Sequence, residues 1–354
     1  MMRAFVPLPH GLSDQAWQDR HGRGEVPDRS PYGLHKLAES GIDVEFGSTD
    51  LARIPARLAA SVRYRTGGLE VVEAFAQRKH RQLTEADVVL SYDERTGIPA
   101  SLDLGRSSAP TVTGIGWLTD RAGTARMQAL LAARALPRAA AVWSQNAPIL
   151  PIVGREWGVP QSRLAFVPLG IDTDFYVVQP PPEVRNVVVS AGEDRYRDHS
   201  LLVAAVALVR ETHTDTTLEL ATGLPAHFPS DFGVLHTGRL DGRMRDLYRR
   251  SSVVAVALHP TVTGSGLTVV LEAMASGRPI IVTDNPGVSD YVEHGETGVL
   301  VPPGDVDAFA GAIKDLLADD DRRIAMGHAA SRRVRERFTS GIMAEELARL
   351  LKTV

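Results

Sequence analysis

Residues 263–277 read TGSGLTVVLEAMASG and follow an apolar run, Val253 to Leu258. Glycines open the stretch, and between them and the closing Gly277 lies a short apolar helix with a single carboxylate, Glu272. The first N–H groups of a helix have no internal partners and carry the positive end of its dipole. An entrance lined by Gly264, Ser265 and Gly266, leading into Leu267 and Thr268, lets an anion approach that backbone. Phosphate is the natural guest, and a turn needing glycine for geometry alone is the alternative. Glu272 has Thr268 and Ser276 at helical spacing, so it has no local cation. Set among core residues it must be paired, face a ligand or reach the surface. A carboxylate facing a cleft suits a sugar or ribose diol, accepting two O–H bonds.

The second stretch is SAGEDRYRDHS, residues 190–200, directly after the apolar run Val187-Val188-Val189. Arg195 and Arg197 lie two residues apart beyond a strand end, where their guanidinium groups could clamp a diphosphate or simply be solvated. Asp198 has the position of an N-terminal acid of the next helix.

Both stretches need elements to position them. From residue 187 onward apolar runs alternate with helical patterns: LLVAAVALVRE, TTLELAT, GVLHTG, a polar helix over 241–250, VVAVAL, PIIVTD, a short helix VSDYVEHG, TGVLVP and a helix over 305–318. Continuously apolar strands alternating with helices predict a parallel sheet covered on both faces. The first half repeats the grammar with MRAFVPL, IDVEF, DVVLSY, PTVTG and AAAVWS as strands and SPYGLHKLAESG as a capped helix. Residues 8–31 read as a long loop, which in a compact domain is usually functional. Three prolines in VVQPPPEVR mark a linker. In open parallel sheets ligands bind beyond the carboxyl ends of the strands, so the chemistry is expected in the loops after strands.

The segment HPTVTGSGLTVVLEAMASGRPIIVTDNPGVSDYVEHGETGVLVPPGDVDAFAGAI resembles the donor-binding half of glycosyltransferase family 4. FVPLGIDTDFY, residues 166–176, resembles the family's crossing into the C-terminal domain, and residues 190–205 look like its phosphate loop in a variant with arginine. The resemblance is specific over roughly residues 141–318 and holds only in layout before that. It implies an α/β, GT-B architecture, two Rossmann-like doubly wound domains facing across a cleft: 1–177 for the acceptor, 178–337 for a nucleotide-sugar donor, and a helix over 338–354 crossing back. It further implies that Glu272 holds the nucleotide ribose, that Gly266, Leu267 and Thr268 meet the distal phosphate, and that Arg197, with Arg195, stands where the family places its phosphate-binding pair. The family transfers sugar with retention of configuration and usually without a metal, so no metal and no cofactor beyond the nucleotide sugar is expected. One departure stands out: eight residues before Glu272, where the family carries a second glutamate, this chain has Gly264. Backbone amides of 264–266 with Ser265 or Thr263 could take over its contacts, the donor could lack the hydroxyl it reads, or the site could be inactive. His10, just after the first strand, is the candidate on position for the N-terminal histidine the family often carries. A non-catalytic nucleotide-sugar-binding protein, or a sugar-nucleotide epimerase or pseudo-glycosyltransferase on the same fold, is the alternative reading.

Composition bounds these readings. The 354 residues suggest about two domains, and the absence of cysteine excludes disulfides and thiolate metal sites. A formal charge of −4, with scattered basic residues, argues against nucleic acid. No apolar run approaches a membrane span, and the N-terminal apolar stretch is too short for a secretory signal; a cytoplasmic protein is expected. RIPARLAASVRYR, residues 53–65, has the make-up of an interfacial helix or of a solvated face. The solvated face is preferred, and with it a small-molecule acceptor away from the membrane.

Overall fold

The computed structural model describes residues 1–47, 56–77, 81–102, 109–183 and 185–354. They form two units. The N-terminal unit comprises 1–23, 28–168 and 340–354, and the C-terminal unit comprises 24–27 and 169–339.

The N-terminal unit holds a six-stranded parallel sheet of β1 (Met2–Pro7), β2 (Ile42–Gly47), β3 (Val88–Ser91), β4 (Thr111–Gly114), β5 (Ala141–Ser144) and β6 (Leu164–Phe166). The order is β2-β1-β3-β4-β5-β6. The C-terminal unit holds β7 (Val187–Ala191), β8 (Thr217–Ala221), β9 (Gly233–His236), β10 (Val253–Val256), β11 (Ile280–Thr283) and β12 (Gly298–Val301), ordered β12-β11-β10-β7-β8-β9. Every strand pair is parallel. β7, β10 and β11, the strands with unbroken apolar runs, are buried along their whole length. Helices cover them: Leu202, Val206, Phe309 and Ile313 join Val188, Val253 and Ile281 in one core. In the N-terminal unit Leu69, Ile98, Val142, Val153 and Trp157 form the corresponding core. Each fully buried large side chain contributes about 1.5–3 kcal/mol, which makes the strand ends firm platforms for loops.

Three local expectations need correction. The 8–31 loop contains a helix, Asp14–Gly22, capped by the Ser13 side chain accepting from the Ala16 N–H. It buries no residue, so no hydrophobic periodicity announced it. Residues 31–40 form 3-10 turns with Tyr32 and Gly33 in left-handed backbone, where the capping pattern predicts a regular helix. In VSDYVEHG only Val288–Asp290 is helical, and it is 3-10. Of the basic stretch 53–65, residues 53–55 lie outside the described residues; 56–65 form a helix with only Ala59 buried.

The C-terminal helix Ser340–Leu351 belongs to the N-terminal unit. The Ser340 hydroxyl donates to Asp28 Oδ1 at 3.0 Å, and Lys36 reaches both Ser340 Oγ at 2.5 Å and Asp28 at 2.8 Å. Among the described residues no helix is long and apolar enough to cross a membrane.

Candidate functional site

In the C-terminal unit the chain runs from β7 out to β8 and β9, then returns to add β10, β11 and β12 on the other side. The switch point therefore lies between β7 and β10, where open parallel sheets bind ligands. The loops leaving those two strands are the two stretches with chemical promise, 192–198 and 257–266.

Hydrogen bonds knit the loops into one surface. Asp198 N–H donates to the Ala257 carbonyl at 3.0 Å, and His259 N–H to the Tyr196 carbonyl at 2.8 Å. Asp194 is the side-chain hub. It accepts from Ser265 Oγ at 2.7 Å, from Tyr196 N–H at 3.0 Å and from Arg197 Nε at 2.8 Å. Asp198 caps the helix His199–Arg210 through Leu201 N–H at 3.0 Å, the role its position suggested. Buried Asn285, beyond β11, holds the second loop by accepting from Thr261 N–H and donating to the His259 carbonyl. His199 Nε2 lies 3.1 Å from the Gly192 carbonyl and 3.2 Å from Thr222 Oγ1. Burial lowers the His199 pKa, which favours the neutral ring, and toward the Gly192 carbonyl Nε2 can only donate.

Arg197 is the centre of the surface. Its side chain is 94% buried, from a relative exposure of 6%. Asp194 is its ion-pair partner, and Nη1 has no hydrogen-bond partner. Burial pushes its pKa down while the Asp194 charge opposes that shift. Two glycines make room for it. A methyl on Gly192 (φ +145°) would collide with the guanidinium, and one on Gly266 (φ +84°) would stand 3.4 Å from Nη1. Gly266 is also the N-cap of the helix Leu267–Ala275. The partnerless edge of a buried cation thus meets a bare helix N-terminus. Among the described residues the amides of Ser265, Gly266 and Thr268 have no protein acceptor. Ser265, Gly266 and Leu267 are buried, Gly264 is half-buried and Thr268 is exposed.

Glu272, half-buried, lies on the second turn of the same helix. Its partners come from far along the chain. Tyr176 donates its hydroxyl to Oε1 at 2.8 Å, and Tyr248 to Oε2 at 2.6 Å. Burial raises the carboxyl pKa, opposed by the Tyr248 and Tyr176 bonds and by the Arg197 charge.

The two arginines go to different places. Arg195 is exposed, lies over the Tyr196 ring at 4.9 Å and donates to its hydroxyl at 2.9 Å. His10 sits in the N-terminal unit with an exposed side chain, and its backbone N–H donates to both oxygens of Glu70 at 2.9 and 2.8 Å. Sequence reasoning missed Asp194, His199, Tyr176, Tyr248 and Asn285. Only Asp194 and His199 carried a usable signal, as polar residues inside the phosphate-type loop. Among the described residues no group of three or more His, Asp or Glu is arranged to hold a metal.

The family model described as glycosyl transferases group 1 matches residues 185–319. The GDP-mannose-dependent alpha-(1-6)-phosphatidylinositol monomannoside mannosyltransferase of Mycobacterium tuberculosis is 28% identical over 220 residues, 54% of this chain and 57% of that protein. The D-inositol 3-phosphate glycosyltransferase of Corynebacterium urealyticum is 35% identical over 108 residues, 30% of this chain and 24% of that one. The chain thus spans about half or less of the length of these curated relatives. Among solved structures, sucrose-phosphate synthase from Thermosynechococcus elongatus superposes with a TM-score of 0.75 at 18% identity, covering 100% of this chain and 99% of that one. Anabaena HepE, in complex with UDP and glucose, gives 0.69 at 16% identity, with 100% of both chains covered. At such identities these two likenesses speak for the fold. The matched segment, residues 185–319, is built around the β7–β10 switch point and is similar to glycosyl transferases group 1, and the chain has a GT-B-like fold.

Proposed function

We propose that the protein is a retaining glycosyltransferase that moves a sugar from a nucleoside-diphosphate sugar to a small-molecule acceptor. The observation that carries this reading is buried Arg197, with one carboxylate partner and a partnerless Nη1 beside the N-terminus of the helix Leu267–Ala275. A buried cation matched in this way gains from an anion placed against it. A diphosphate fits, because the helix amides add donors and dipole. The relatives are consistent at the level of donor class: the mannosyltransferase is GDP-mannose-dependent by name, and HepE has also been solved with UDP-glucose.

In the proposed reaction the bond from the anomeric carbon to the phosphate oxygen breaks, and a bond from that carbon to the acceptor oxygen forms on the same face. The leaving phosphate takes the acceptor's proton. Charge grows on the phosphate as the first bond breaks, so fixed donors aimed at it lower the barrier. Arg197 and the amides of Ser265, Gly266 and Thr268 are proposed for that role, Glu272 for the ribose, and Ser265 with the Gly264 backbone for the sugar hydroxyls that a second glutamate would otherwise meet. Because Ser265 Oγ donates to Asp194, its lone pairs face outward as acceptors. Arg195, exposed over Tyr196, is proposed to meet the phosphates from the solvent side. The acceptor is proposed to bind the N-terminal unit, with His10 at its loop after β1.

The test is release of nucleoside diphosphate from GDP-mannose and UDP-glucose, with and without simple alcohol acceptors. Turnover of either donor, lost in Arg197→Ala with little change in KM, supports the assignment. Turnover unchanged in that variant removes Arg197 from the reaction.

A further inference from the structure

The carboxylate proposed to read the ribose is already hydrogen-bonded on both oxygens. Tyr176 takes Oε1 from the segment after Leu169, and Tyr248 takes Oε2 from the helix Met244–Arg250. Both rings are buried, Tyr248 completely and Tyr176 to 4% exposure. They meet edge to face, with centroids 6.1 Å apart. Phe175 meets Tyr176 edge to face in turn, and the Arg245 guanidinium lies 3.9 Å above Phe175. The hydroxyls are therefore fixed by packing rather than free to follow the carboxylate.

An ionised carboxylate offers about four lone-pair directions. Two are filled by the tyrosines, leaving one on each oxygen. That is the requirement for a vicinal diol, whose two hydroxyls donate one bond to each oxygen. We propose that Tyr176 and Tyr248 are positioning residues that fix Glu272 as a two-vacancy acceptor, so that the site selects ribonucleotides by their intact 2′,3′-diol. This rests on Glu272 as the ribose ligand.

The same bonds favour the charged form of the acid. A carboxyl half-buried among apolar residues tends toward its neutral form, which would donate where it must accept. Three groups face it and oppose that tendency: Tyr176 and Tyr248 by hydrogen bonds, and Arg197, itself paired to Asp194, by charge. Arg245 and Asp172 lie farther out and act on Tyr176. Both phenols are pushed above the usual tyrosine range, by burial first and then by the Glu272 charge, so they remain donors.

The experiment measures binding of UDP, GDP and ADP, and of the 2′-deoxy form of the tightest binder, by calorimetry between about pH 5.5 and 8. Tyr176→Phe, Tyr248→Phe and the double variant keep the rings and lose only the hydroxyls. The expected result is preference of the unaltered protein for the ribonucleotide by about ten-fold, shrinking to about three-fold or less in the double variant as Glu272 loses its alignment. The pH at which affinity falls off should also move upward in the double variant, because two bonds to the charged form are gone. In Glu272→Gln the share of that pH dependence due to the carboxyl should vanish, leaving only the ionisation of the ligand's terminal phosphate, near pH ~6. Discrimination and pH profile unchanged in the double variant would overturn the proposal while leaving the donor site intact. Binding of none of the three nucleotides would overturn the donor reading itself. The infrared carboxyl band of Glu272, identified by its loss in Glu272→Gln, then decides separately whether the tyrosines hold the acid ionised: it should appear at higher pH in the double variant.

Discussion

The two units share one sheet plan and differ at its switch points. In each, a six-stranded parallel sheet reverses direction beside its first strand, at β1/β3 and at β7/β10. At β7/β10 the loops converge on a buried arginine, two glycines that make room for it, and amides without acceptors. At β1/β3 the loops bring carboxylates. Glu70 takes the His10 amide, and Asp93 caps the helix Glu94–Ser101 while pairing with Arg95 at 2.7 Å. Buried Glu94 accepts the amides of Gly116 and Trp117 at 2.8 and 2.9 Å. Burial, with the nearby Asp93 charge, pushes the Glu94 pKa up to about 7. The same framework thus presents positive charge and open donors at one edge, and carboxylates with amides already satisfied at the other. A parallel sheet fixes where a ligand sits; the loop residues decide its charge.

The largest effect is expected from breaking the cationic edge. Arg197→Ala should lower turnover by about 100-fold while changing KM by less than about three-fold, measured in steady-state kinetics. Gly192→Ala should come next. Its methyl collides with the Arg197 guanidinium and its φ of +145° is strained for any L side chain, so stability should fall by about 1–3 kcal/mol in urea unfolding.

The carboxylate edge predicts a pH effect on stability. An unfolded glutamate titrates near 4.5 and Glu94 near 7. Folding therefore favours the protonated form, a contribution present below the unfolded value and lost as pH rises through the folded one. The difference in Tm between the wild-type chain and Glu94→Gln should shift against the wild type as pH rises from about 4.5 to about 7, and level off above. The smallest effect is expected at Glu70→Gln. One of two oxygens is kept for the His10 amide, so the loss should stay near 1 kcal/mol.

The same contrast explains what was legible in the sequence. Parallel α/β order followed from apolar runs such as Val253–Val256, and the anion-type helix entrance from Gly264 and Gly266, because both signals are local. Arg197 stood out by its place after a strand, but the sequence did not separate it from Arg195. The separation depends on Asp194 and on the space left by Gly192 and Gly266. Glu272 was legible as an acid needing a partner, and its partners were not. Tyr176 and Tyr248 lie 96 and 24 residues away, brought in by packing that no short-range period encodes. The polar helix Asp14–Gly22 escaped because it buries no residue, and the left-handed backbone at Tyr32 because the buried Pro31, Leu34 and Leu37 share the spacing of a regular helix.

The most direct test of the donor-site assignment is calorimetric titration of the protein, and of Arg197→Ala and Glu272→Ala, with UDP, GDP, ADP and dTDP. The account predicts saturable binding of at least one of them, weakened by about ten-fold or more in each variant, the scale of a lost hydrogen bond to a charged group; in Arg197→Ala this exceeds the change in donor KM, because the free diphosphate carries the negative charge that the bound donor develops only as its bond breaks. Binding that is equally tight in both variants would contradict it, because the nucleotide would then sit elsewhere than at the β7–β10 switch point.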